Sequence, residues 1–146
     1  MKKNYGFTLV ELIIVISLIS LTSFFIITNY NRSINRARSY NIKNKIINTM
    51  NYLQKKSNVD EKMYEIVFNL DNNKIEYIGN TLKLDDRFIY ETNNVEHNFT
   101  RKITKKGNLD RGFTIIIKDK KSKKIYDRLS YNTTNGLNIA VLSNES

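Results

Sequence analysis

The sequence predicts an α+β protein. A long N-terminal helix, apolar in its first half and amphipathic in its second, packs on a small antiparallel β-sheet head. Three observations carry this expectation. No Gly or Pro interrupts the chain from Phe7 to Lys56. Apolar residues within that stretch first run together and then recur at helical spacing. From Met63 onward, short alternating runs are separated by Asn, Asp and Gly turn signals.

The first thirty residues organise the rest. Lys2 and Lys3 belong to a short leader that ends at Gly6, and Phe7–Ile27 is apolar or small and uncharged except for Glu11. As a helix the apolar run reaches about 30 Å, the thickness of a bilayer core. The expected divisions are a leader at 1–6, a membrane or assembly helix at 7–29, an amphipathic helix at 30–56 and a β-rich head at 57–146. A carboxylate at the centre of a spanning helix costs roughly 2.5–3.5 kcal/mol, and less near its end. Glu11 therefore calls either for headgroup water or for a cationic partner. If the chain were cut after Gly6, the new ammonium on Phe7 would lie four residues from Glu11. Both would then sit in the first helical turn, where the macrodipole favours an acid.

The pattern Lys2-Lys3-x-x-Gly6-Phe7-Thr8-Leu9-Val10-Glu11-Leu12 resembles the class III leader of type IV prepilins and type II secretion pseudopilins. The resemblance implies a pilin-like fold and no enzymatic activity. It also implies cleavage by prepilin peptidase after Gly6, N-methylation of Phe7, and an assembly role for Glu11 against the Phe7 ammonium of a neighbouring subunit. The implied partners are the peptidase, sister pilin or pseudopilin subunits, an assembly platform protein, an ATPase and the membrane. The head would be extracytoplasmic, first on a single-pass inner-membrane protein and then in a pilus or pseudopilus. The charge bias points the other way: Arg32, Arg36, Arg38, Lys43 and Lys45 outnumber Lys2 and Lys3, which by the positive-inside rule favours a cytoplasmic C-terminal side. The N-terminus differs from a secretory signal, because its leader is very short and no small-x-small site follows the apolar run.

Between Thr28 and Lys56, Tyr30, Ile34 and Ala37 share one helix face. Ile42, Ile46, Met50 and Leu53 continue the apolar stripe, with Ile47 beside it. Major pilins often carry a proline in this helix where the present chain has Thr28, which leans towards a minor pilin or pseudopilin. The head then reads as strand Met63–Leu70, turn Asp71–Asn73 and strand Lys74–Ile78. Thr81–Asp86 is a connector, and Arg87–Glu91 a strand closed by Asn93-Asn94. After the less regular Glu96–Thr104 comes the turn Lys105–Asn108. Strands follow at Gly112–Lys118, Lys124–Tyr131 and Leu137–Leu142, the last two joined through Asn135-Gly136. Ile115–Ile117 suggests a strand buried on both faces. This C-terminal succession is similar to that of minor pseudopilins of the H/FimT or competence kind.

The chain has no Cys, one His and a formal net charge of +10. Disulfides and thiolate metal sites are excluded, and the head must hold together by packing. No catalytic, cofactor or metal constellation is legible. His97 stands alone beside Glu96, Asp85-Asp86 is an adjacent pair of solvated acids, and Asp71-x-Asn73 fails as a calcium loop because Glu76 replaces the required Gly. One binding motif remains. Lys118, Lys120, Lys121, Lys123 and Lys124 form a lysine-rich hairpin, to which Arg101, Lys102, Lys105 and Lys106 are expected to add. Such a hairpin could neutralise phosphates of DNA or anionic wall polymers, with Tyr126 and Tyr131 available for stacking. The bland alternative is that these lysines solvate a turn. The function expected is therefore a minor pilin or pseudopilin subunit, with a membrane-anchored or filament-tip binding protein as the alternative.

Overall fold

The structure, a computed structural model, describes residues 8–94, 96–133 and 139–141. Two compact units are present, one up to residue 36 and one from Ala37 onward. One helix, α1 (Leu9–Asp60), contributes to both. In the first unit the side chains from Leu9 to Ile27 are exposed. The hydroxyls of Ser17 and Ser20 donate to the carbonyls of Ile13 and Ile16, each at 2.8 Å, and Thr22 reaches the carbonyls of Leu18 and Ile19. These polar groups are satisfied within the helix and leave an apolar exterior.

In the second unit, Ile42, Ile46, Met50 and Leu53 are buried, as their spacing predicts. The helix runs four residues beyond the expected Lys56 and stops where Glu61 adopts a left-handed φ of 51°. The buried Ser57 hydroxyl lies 2.6 Å from the Lys62 carbonyl and 2.5 Å from that of Thr104, tying the helix end to the head.

Eight strands follow: β1 (Tyr64–Asn69), β2 (Lys74–Tyr77), β3 (Asn80–Lys83), β4 (Phe88–Thr92), β5 (Phe99–Ile103), β6 (Phe113–Asp119), β7 (Ile125–Tyr131) and β8 (Ile139–Val141). They form two four-stranded antiparallel sheets, ordered β3-β2-β1-β5 and β4-β6-β7-β8. Aromatic side chains join the sheets. Phe68 stacks on Phe99 with centroids 4.6 Å apart, Phe113 lies 4.8 Å from Phe68, and Tyr131 stacks on Phe113 at 5.1 Å.

Two expectations need correction. The segment read as a connector after Ile78 contains β3, paired with β2 through a tight turn at Ile78-Gly79. Both turn residues have positive φ, 42° and 70°, as a type I′ hairpin requires. Ile in that position hides the usual Asn-Gly signal. The strand expected to be buried on both faces is buried on one: Ile115 and Ile117 are fully buried, whereas Ile116 is half-covered. Ile116 is registered between Glu91 and Arg128, so its face of the sheet is charged rather than a second core. Of the last expected hairpin, Thr134–Asn138 and Leu142 lie outside the described residues.

One buried ion pair joins helix to sheet. Lys43 Nζ lies 2.9 Å from Asp127 Oδ1, with side-chain exposures of 7% and 12%. Removing one partner strands the other charge, whereas replacing both with apolar groups does not. Lys43→Ala should therefore destabilise the head by roughly 3–5 kcal/mol in urea unfolding. Lys43→Met combined with Asp127→Leu should recover most of that loss. Equal destabilisation by the single and double variants would contradict this account. At the β2–β3 turn, Ile78→Asn should raise stability by about 0.5–1 kcal/mol, because Asn tolerates left-handed backbone better than a β-branched residue. An unchanged urea midpoint would refute the strain at Ile78.

Candidate functional site

The N-terminal site is built on the first turn of α1. Thr8 precedes the helix and Glu11 is its third residue. The Thr8 Oγ accepts the Glu11 backbone N–H at 3.2 Å, and the Glu11 carboxylate accepts the Thr8 backbone N–H at 2.9 Å and the Thr8 hydroxyl at 3.0 Å. This is a capping box, in which two otherwise orphaned helix donors are satisfied reciprocally. The S/T-x-x-E spacing was present in the sequence, yet Thr8 was not singled out there. The carboxylate is exposed and retains lone pairs for a further donor. Gly6 and Phe7 lie outside the described residues.

The lysine-rich hairpin lies on the β6–β7 turn. Lys120, Lys121, Lys123 and Lys124 are exposed, while Lys118 lies within β6 and pairs with Glu91. Asp119 shapes the turn: its carboxylate accepts the backbone N–H groups of Lys121 (2.9 Å) and Ser122 (2.7 Å). The structure does not bring the other cations to this turn. Arg101 is buried, donates to Asn94 at 2.6 Å, and approaches the Gly112 carbonyl at the opposite end of β6. The Thr104–Asn108 turn carrying Lys105 and Lys106 lies at that far end, where Ile103 bridges Leu109. At ~3.3 Å per residue the length of β6 separates the two basic turns by about 20 Å. Tyr131 is 2% exposed and has no face to offer a base, and Tyr126 packs edge-on to Phe88.

The remaining sequence candidates are structural. His97 Nδ1 lies 2.6 Å from Asp71, and Asn98 donates to the same carboxylate at 2.5 Å. Asp85 is gripped by Arg87, whose Nε lies 2.9 Å from Oδ1 and whose Nη2 lies 2.6 Å from Oδ2. Asp86 is exposed.

Residues 1–27 match the family model described as the prokaryotic N-terminal methylation motif. No curated protein and no solved structure matches the chain. The N-terminus thus carries the class III leader of type IV prepilins, ahead of a pilin-like α+β arrangement in which a long helix packs on antiparallel sheets. The motif supports a type IV pilin or pseudopilin, and it implies processing by prepilin peptidase and assembly with other pilins. α1 is long and apolar enough to cross a membrane, which fits membrane anchoring.

The Arg87 side chain holds the Asp85 carboxyl below its ordinary range, and the Ser122 backbone N–H does the same for Asp119. A depressed folded pKa contributes stability that is present above the unfolded value of about 3.9 and is lost as pH falls through the folded value. The thermal midpoint of the head should therefore be nearly constant from pH 7 to about 5 and drop below about pH 4. Asp119→Asn should flatten part of that drop in circular-dichroism melts. An acid profile identical to the parent's would remove Asp119 from this account.

Proposed function

We propose that this chain is a minor type IV pilin or pseudopilin. It is made as a membrane-held precursor with its head outside the cytoplasm, and prepilin peptidase cuts it between Gly6 and Phe7 and methylates the new Phe7 amine. The observation that carries this reading is the methylation motif at residues 1–27, continuous with an exposed apolar helix. Assembly then exchanges lipid around Leu9–Ile27 for the same segment of sister subunits. Apolar surface stays covered at both stages, so the transfer itself costs little. The head faces outward by the same reading, against the charge bias of the flanking arginines. An assembly ATPase and a platform protein supply extraction and polymerisation.

The mechanism assigns Glu11 two separable tasks. Within a subunit it closes the capping box with Thr8. Between subunits its charge seeks the Phe7 ammonium of a neighbour, which removes two charges from the apolar interior together. Glu11→Gln keeps an acceptor for the Thr8 N–H but loses the charge. Thr8→Ala loses the hydroxyl cap and keeps the charge. In sheared filament fractions, Glu11→Gln should cut incorporation at least tenfold while leaving cleavage intact, and Thr8→Ala should cut it far less. Normal incorporation of Glu11→Gln would refute the intersubunit role. The parent chain's absence from filaments, despite complete cleavage, would refute the pilin reading.

A further inference from the structure

The head carries a second basic surface, separate from the hairpin lysines in sequence. An open groove of about 600 Å³ lies between α1, the β1–β2 turn and the strands β2 and β3. Arg38 and Lys45 line it from α1, Lys74 from β2 and Lys83 from β3. The strand register sets Lys74 directly opposite Lys83, a pairing in which like charges repel. Lys45, Lys74 and Lys83 are exposed and have no ion-pair partner among the described residues. Of the two lining acids, Asp85 is committed to Arg87, which leaves Asp86 against four cations. A surface that holds two lysines face to face without an acid between them is relieved by a bound anion.

The spacing argues for a chain of anions rather than one ion. Arg38 and Lys45 are separated by about 10 Å along the helix axis, and the Lys74 and Lys83 backbones lie about 5 Å apart across the sheet. The cationic track also continues beyond the groove: the Lys120 N–H donates to the Arg87 carbonyl at 3.0 Å, so the exposed Lys120–Lys124 turn begins beside the Asp85–Asp86 rim. The lining suits hydroxyl-bearing units better than bases. No aromatic side chain is among the lining residues, so there is no platform on which bases could stack. The side-chain amides of Asn41, Asn72 and Asn73 offer donors and acceptors suited to hydroxyl groups.

We propose that this groove binds an extended polyol-phosphate chain. Lys45, Lys74 and Lys83 neutralise successive phosphodiesters, the asparagine amides bond the intervening hydroxyls, and Lys120 and Lys121 extend the track past Arg87. The site needs only the folded head and is independent of how the N-terminal segment is processed.

The test uses the full chain in zwitterionic phosphatidylcholine nanodiscs with a fluorescent glycerol-phosphate oligomer as probe, read by anisotropy across a salt series. The Lys45→Gln, Lys74→Gln, Lys83→Gln triple variant should weaken binding at least tenfold and flatten the salt dependence. The Lys105→Gln, Lys106→Gln pair, at the other end of the head, should change binding less than twofold. All five lysines are exposed, and circular dichroism should show an unchanged fold. No loss in the triple variant would overturn the site, and so would an equal loss per charge in the control pair. Tighter binding of a DNA single strand or duplex of matched charge would overturn the choice of polymer.

Discussion

The first half of α1 exposes apolar side chains on every face. Water is a poor surrounding for such a surface, which calls for an apolar environment. The local chemistry is arranged for that environment. The backbone is satisfied along the helix, and the Ser17, Ser20 and Thr22 hydroxyls fold back onto carbonyls one turn earlier. The first turn, where donors are left over, is closed by Thr8 and Glu11. Lipid tails and the apolar helices of sister subunits meet these requirements equally well. In the proposed function, that equivalence lets one segment serve first as an anchor and then as the packing element of a filament.

The head solves a different problem, because it must be stable without a disulfide. It does so by giving the second half of α1 a buried stripe and folding two sheets around it, with Phe68, Phe99, Phe113 and Tyr131 filling the space between them. Specific polar links fix how helix and sheets meet. Lys43 reaches Asp127 on β7, and Ser57 reaches the Thr104 carbonyl beyond β5. At Gly107, a left-handed φ of 76° and the Gln54 carbonyl 3.1 Å from where a Cβ would stand leave little room for a side chain. The polar links lie at opposite ends of the packed helix and hold it against both sheets.

Much of this was legible from local pattern. The uninterrupted helix, the stripe from Ile42 to Leu53, the Asp71–Asn73 turn and the β6–β7 hairpin follow from periodicity and turn chemistry. β3 was hidden because Ile78 occupies a left-handed position normally held by Asn or Gly. The outer face of β6 was misread because three consecutive isoleucines look the same whether the opposite face meets a second layer or a row of charged neighbours. Thr8 was legible in principle, since its spacing from Glu11 is a known capping signature. The cationic groove was not legible at all. Arg38, Lys45, Lys74 and Lys83 are far apart in sequence, and only the β2–β3 register and the packing of α1 assemble them. The same packing separated Arg101 and Lys105 from the lysine turn they were grouped with.

The most direct test of the central claim is an intact mass of the chain co-expressed with an active prepilin peptidase. Loss of Met1–Gly6 together with the gain of one methyl group is the predicted result. It would establish a free, methylated Phe7 amine, the group proposed to pair with the Glu11 carboxylate of a neighbouring subunit. An uncut chain, beside a control prepilin cleaved in the same cells, would contradict the account and leave the helix a plain membrane anchor.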